Sequence, residues 1–264
     1  MEQEIRRLLQ GNAERPLYYF DVLDSTNTHL KRLAQEGAAD GAVVIADCQT
    51  AGRGRMDRNF QSAAGKGLYL SVLLRPALSG ERLLPVTALA GVAACDAVEQ
   101  VCGVRPRLKW PNDLVLGGKK LCGILTELGV DADGGFWLVV GVGVNVSQTA
   151  ADFSPDVADI ATSLQAELQR EVSRAALAAA LIEALDRLYA ALMQDALSPY
   201  LAAYRRDCVN LGKTVQLISA DGRREMAEAV DVDDAFGLMV RTAEGERIVR
   251  SGEVSVRGLY GYVE

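Results

Sequence analysis

The chain has 264 residues, of which 49% are hydrophobic and 24% charged, and it carries a formal net charge of −7. That composition belongs to a soluble globular protein; its acidity excludes a global electrostatic grip on nucleic acid or an anionic membrane, leaving local basic patches that act over about 10 Å. The leader lacks the apolar core of a signal peptide, no stretch approaches the ~20 apolar residues of a membrane span, and five cysteines without C-x-x-C spacing beside one histidine argue against zinc and for a reducing, cytoplasmic setting.

After a polar leader, DSTNTHLKRLAQEG reads as a helix capped by Asp24 or Ser25, with Leu30, Leu33 and Ala34 on one face and Gly37 closing it. GAVVIAD is a short apolar strand and GLYLSVLLRP a second, ending at Pro76. A helix runs from Pro85 to Gly103. PRLKWPNDLVLGGKKLCGILTELG then predicts a hairpin turning at Gly117-Gly118, and FWLVVGVGVNV a buried strand ending at Asn145. Leu177, Leu181, Leu185, Leu188 and Leu192 recur at helical spacing behind a Ser173 cap, and a further short helix starts at Ser198-Pro199. From Leu211 onward short alternating runs, broken by Asp221-Gly222, Gly237 and Gly245, read as a small antiparallel barrel or sandwich. The plan is α+β with an all-β appendix.

Residues 49–60, QTAGRGRMDRNF, hold three arginines and two glycines directly after a strand. They lack the spacing of a P-loop or of a dinucleotide fold. Glycine lets backbone N–H groups approach an anion, and guanidinium forks grip phosphate or carboxylate, although a solvated surface loop has the same composition. KWPNDL sets a cation, an aromatic and two polar side chains around a proline turn; Asn112 and Asp113 can ligate Mg²⁺ or bond a phosphate or ribose, or simply stabilise the turn. Alternation makes Lys119 and Lys120 point opposite ways. In GVGVNV, Gly141 and Gly143 share a strand face, leaving room for a flat ligand or for a closely crossing helix.

Taken in order, DSTN, QTAGRGR, KWPNDL, KKLCGILTE and GVGVNV resemble the motifs of the biotin protein ligase family, the biotin–[acetyl-CoA-carboxylase] ligases. The resemblance implies a biotin/lipoate ligase-like catalytic domain of mixed sheet and helices over residues 1–208, and a small C-terminal SH3-like β-barrel over 209–264. It implies an ATP-dependent ligase that makes biotinyl-5′-AMP and passes biotin to a lysine of a biotin carboxyl carrier protein, with biotin, ATP and Mg²⁺ as its small molecules. By position, Ser25, Thr26, Asn27 and Gln49 match contacts to the ureido end of biotin, and Gly123, Gly141 and Val144 match walls of its slot. Arg53, Gly54 and Arg55 match a loop that folds over the activated intermediate. Lys120 matches the lysine beside carboxylate and α-phosphate, so Lys120 and Arg55 are the expected catalytic cations. Arg58, Phe60, Lys109, Asn112, Asp113 and Asn145 match the nucleotide side, Phe60 near the adenine and Asp113 toward Mg²⁺.

Asp57 departs from the glycine that many members have there, and an acid at that point can pair with Arg55 or Arg58. Too few residues precede Asp24 for the winged helix of the members that repress transcription, which with the acidity argues against operator binding. An edge strand can support a homodimer. Two other readings compete: a lipoate or octanoate ligase of the same superfamily, and a nucleic-acid-binding protein that uses the Arg-Gly loop, against which the acids of EAVDVDDAF speak.

Overall fold

Alternating apolar positions build two sheets, and the helices close over the larger one. The computed structural model describes every residue except 12, 13, 59, 79, 132, 220, 251–253, 258–261, 263 and 264. In chain order the elements of the first part are α1 (Glu2–Leu8), β1 (Leu17–Leu23), α2 (Thr26–Gln35), β2 (Val43–Gln49), β3 (Gly67–Leu74), α3 (Val86–Cys102), β4 (Arg107–Lys109), β5 (Asp113–Leu116), β6 (Lys119–Val130), β7 (Phe136–Asn145), α4 (Leu164–Leu168), α5 (Arg174–Met193) and α6 (Ser198–Asp207). Strands β1 to β7 form one mixed seven-stranded sheet in the order β1-β2-β3-β7-β6-β5-β4, with β1 and β2 parallel and the other pairs antiparallel. The segment before Asp24, expected as a leader, instead supplies α1 and the edge strand β1, because Leu17 and Ile5 bury against the core.

Side-chain alternation divides the sheet into two working faces. Leu68, Leu70, Val72 and Leu74 of β3 and Leu138, Val140, Val142 and Val144 of β7 join α3 and α5 in the main core. On the opposite face Leu73 and Val139 pack under Leu30 and Ala34 of α2. Helix α2 starts at Thr26, capped by Ser25, and covers only part of this face. Beyond its N-terminus the sheet face is open, and the odd-numbered residues Tyr69, Gly141, Gly143 and Asn145 line a cavity. The segment Gly80–Cys102 is apolar and long enough to cross a membrane, contrary to the sequence expectation, but it is mostly buried within the protein, where α3 packs against α5 and the sheet.

The C-terminal strands β8 (Lys213–Ser219), β9 (Arg224–Val232), β10 (Leu238–Thr242), β11 (Gly245–Val249) and β12 (Val254–Arg257) form a five-stranded sheet ordered β11-β10-β9-β8-β12, antiparallel throughout. This is the small β unit that the alternation after Leu211 predicts. It is anchored at the KWPNDL turn: Trp110 donates its indole N–H to Phe236 O at 3.1 Å and its backbone N–H to Asn210 Oδ1 at 2.7 Å. The Trp110–Pro111 peptide is cis.

Candidate active site

The cavity at the start of α2 has a volume of about 870 Å³. That is within the usual range for a site taking a small ligand. Ser25, Thr26, Asn27 and Gln49 stand at one end; Lys109, Asn112, Asp113 and Tyr262 stand at the other. Arg53, Gly54, Arg55, Arg58, Phe60, Lys120, Gly123, Gly141 and Asn145 also line it. Val144 does not: strand alternation puts it on the core face of β7, where it is 1% exposed. The expectation that Val144 walls the slot is therefore corrected by the same periodicity that exposes Gly143.

The polar groups at the helix start are already organised. Gln49 Oε1 accepts from Thr26 N at 2.8 Å and from Thr26 Oγ1 at 3.1 Å, while its amide donates to Ser62 Oγ at 2.8 Å. Asn27 donates to Leu125 O at 3.1 Å and Glu127 Oε2 at 2.9 Å, and accepts from Ser71 Oγ at 2.6 Å. Both amide N–H groups of Asn27 are thus spent on protein. Gly141 is a glycine because any side chain there would run into Asn27. The helix crossing and the ligand slot, alternatives in the sequence, are both present on this one glycine-lined face.

Phe60, expected beside an adenine, lays its ring over the glycine floor: a Cβ on Gly143 would come within 2.7 Å of it, and one on Gly123 within 3.2 Å. Tyr69 meets the ring edge-on at a centroid distance of 6.2 Å. The glycines of the arginine loop serve mainly to fold the loop on itself. Phe60 N–H donates to Gly52 O at 2.8 Å and Gly54 N–H to Arg58 O at 2.7 Å, while Met56 sits at a left-handed φ of 54°. The three arginines then diverge. Arg53 reaches Glu127 at 3.0 Å, Arg55 donates to Asn112 Oδ1 at 3.2 Å inside the cavity, and Arg58 is exposed. Burial lowers the Arg55 pKa against the pull of Asp113, and guanidinium remains a cation even so. The side chain of Asp57, expected to pair with Arg55 or Arg58, lies outside the described residues.

Lys120 enters the site through a bulge. β5 and β6 pair Leu114 with Cys122 but Val115 with Lys120, so Leu121 is an extra residue. Leu121 and Cys122 both turn to the core, and Lys120 moves to the face of Gly123. There its ammonium lies 2.7 Å from Asp113 Oδ1. Tyr262 donates its phenol to the other Asp113 oxygen, and Lys109 Nζ lies 3.4 Å from the Tyr262 ring centroid. Burial pushes the Asp113 carboxyl up, but Lys120, Tyr262 and Lys109 outweigh it and hold it below its ordinary value. Burial and the facing carboxylate push the Tyr262 phenol strongly upward, so it stays a donor. Asn145 donates to Thr162 O at 2.9 Å and accepts from Gln148 at 3.2 Å.

Asp113, expected toward Mg²⁺, has Oδ1 in the ion pair with Lys120 and its other oxygen accepting from Tyr262. Among the described residues no group of three acid, cysteine or histidine side chains gathers to form an all-protein metal cage. Glu127, Ser71 and Tyr262 escaped the sequence reading. Glu127 stood inside the quoted KKLCGILTE motif, whereas nothing local marks Ser71 or Tyr262.

Residues 19–145 match the Biotin/lipoate A/B protein ligase family. The chain is 33% identical over 256 residues to the bifunctional ligase/repressor BirA of Bacillus subtilis, covering 97% of this chain and 78% of that protein. It is 34% identical over 258 residues to the biotin–[acetyl-CoA-carboxylase] ligase of Mycobacterium tuberculosis, covering 92% and 90% respectively. A biotin protein ligase of Aquifex aeolicus, solved in complex with biotin and ATP, superposes with a TM-score of 0.80 at 28% identity over 92% of this chain and 99% of that one. The ordered motifs, the glycine-floored cavity and these likenesses agree, and the chain belongs to the biotin protein ligase family.

Proposed function

We propose that the chain is an ATP-dependent biotin protein ligase, with the cavity at the start of α2 as its active site. A biotin carboxylate oxygen attacks the α-phosphorus of ATP, the bond to pyrophosphate breaks, and biotinyl-5′-AMP forms. A lysine amine of a biotin carboxyl carrier protein then attacks the acyl carbon, AMP leaves, and the amine loses a proton to complete the amide. The observation that carries this reading is the convergence of Arg55 and Lys120 on one cavity from two separate segments.

Two anions must meet there. Unit charges 4 Å apart repel by about 4 kcal/mol at an effective dielectric near 20. Cancelling that repulsion in the transition state is worth roughly three powers of ten in rate. Arg55, bound to neutral Asn112, and Lys120, bound to Asp113, supply the opposing charge, with the incoming anions replacing these partners. Ser25, Thr26 and Gln49 take the ureido head; the glycine floor with Phe60 takes the bicyclic ring; Lys109, Asn112, Arg58 and Asn145 serve the nucleotide. Mg²⁺ belongs to this proposal as part of the ATP·Mg²⁺ substrate, where it screens phosphate charge, with Asp113 the carboxylate placed to meet it. The matched relatives are biotin ligases, so the lipoate alternative is not favoured.

The test is to mix the protein with biotin, ATP and Mg²⁺ and a biotin carrier domain, and to weigh the carrier. The expected product gains one biotinyl group only when ATP is present. An unmodified carrier, or preferential transfer of lipoate in competition, would overturn the proposal.

A further inference from the structure

Glu127 holds together three pieces of the site without lining the cavity. Its side chain, 17% exposed, is on β6 opposite Val139. Oε1 accepts from Lys31 Nζ at 2.6 Å and from Arg53 at 3.0 Å, and Oε2 accepts from Asn27 Nδ2 at 2.9 Å. One carboxylate therefore joins the first turns of α2, the arginine loop and the central sheet. Burial raises its pKa, but Lys31, Asn27 and Arg53 more than compensate, so it is anionic near neutrality.

The three ties differ in permanence. Asn27 is 3% exposed and is also held by Leu125 and Ser71, so it is fixed. The Arg53 side chain is 41% exposed. An ion pair that exposed is a weak tie. When Arg53 lets go, Lys31 still neutralises Glu127, so no buried charge is stranded. Such a contact can hold a loop and release it. Its location is also apt, because Arg53 precedes Gly54 and Arg55, and its guanidinium is turned toward Glu127 while that of Arg55 turns toward Asn112.

We propose that Glu127 is a positioning residue for the arginine loop: through a reversible ion pair with Arg53 it holds the loop so that Arg55 is carried over the cavity. In this assignment Arg53 is an anchor, and Arg55 carries its charge toward Asn112 inside the cavity.

Hydrogen exchange on the ligand-free protein tests this without reference to any reaction. The N–H groups of Gly54 and Phe60, bonded to Arg58 O and Gly52 O, report on loop opening. In Glu127→Gln and in Arg53→Gln their exchange should rise about two- to fivefold, the range an exposed pair supports. The double variant should rise no further than either single one. Exchange unchanged in Glu127→Gln, or single effects that multiply in the double variant, would overturn the proposal. A second readout, resting on the ligase reading, is the release of biotinyl-AMP made from biotin and ATP, which should quicken by a similar factor in both variants. A parent protein that makes no biotinyl-AMP would sink the ligase reading, while the exchange result would still decide the role of Glu127.

Discussion

Lys120 and Asp113 show how much chemistry rests on one contact. Their 2.7 Å ion pair keeps the ammonium aimed into the cavity and the carboxylate charged despite burial. Lys120→Ala should reduce pyrophosphate exchange by about 10²–10³, the usual loss when one preorganised charge-stabilising donor is removed, with the circular dichroism spectrum unchanged. Near-normal exchange would remove Lys120 from the site chemistry. The same pair has a pH signature. The folded-state pKa of Asp113 is depressed, so its stabilisation is complete above the ordinary carboxylate pKa of about 3.9 and is lost as pH falls below it. Acid titration followed by near-ultraviolet circular dichroism should show a steeper acid limb in the parent than in Asp113→Asn below about pH 4. Coincident limbs would mean that the pair contributes nothing on folding.

Among the elements, β7 has two jobs on its two faces. Its valines seal the core while its glycines make a floor that Asn27 and Phe60 approach closely. Gly143→Ala should force the Phe60 ring out of place, since the new Cβ would lie 2.7 Å from it. Overpacking of that kind costs about 1–3 kcal/mol. The expected result is a KM for biotin in pyrophosphate exchange raised by about tenfold or more, with the melting temperature little changed if the ring swings into the cavity. An unaltered KM would show that the ring position does not matter to the ligand. The alternation that predicts this floor was legible in GVGVNV, and so was the core placement of Val144. The facing of Lys120 was not: simple alternation puts it with Cys122 on the core face, and only the extra Leu121 in the pairing with β5 brings it to Gly123.

At the scale of the whole molecule, the C-terminal sheet completes the wall behind the KWPNDL turn. Phe236 accepts from the Trp110 indole and meets Tyr204 edge-on at 5.5 Å, from a left-handed φ of 60° that an L-residue adopts only when its surroundings hold it. Phe236→Ala should cost about 3–5 kcal/mol, read as a lower urea midpoint. A midpoint within error of the parent would show that the sheet is not docked through this residue. Tyr262 adds a contact from the same part of the chain to Asp113, so the division at residues 208 and 209 is proposed as a boundary in sequence across which the site is shared.

Periodicity, caps and glycine spacing are local, so the sequence alone determined the principal strands and helices, the glycine face of β7, the small β unit and the ordered motifs that place the chain in its family. Partner choice is not local. Asn27 and Glu127 lie 100 positions apart, and Tyr262 and Asp113 lie 149 apart. Which carboxylate meets which cation depends on how sheet, helix and loop pack. The tertiary structure therefore decided that Arg53 anchors on Glu127 while Arg55 enters the cavity, and that a bulge turns Lys120 inward, because the largely buried carboxylates of Glu127 and Asp113 are stable only where folding brings them a partner.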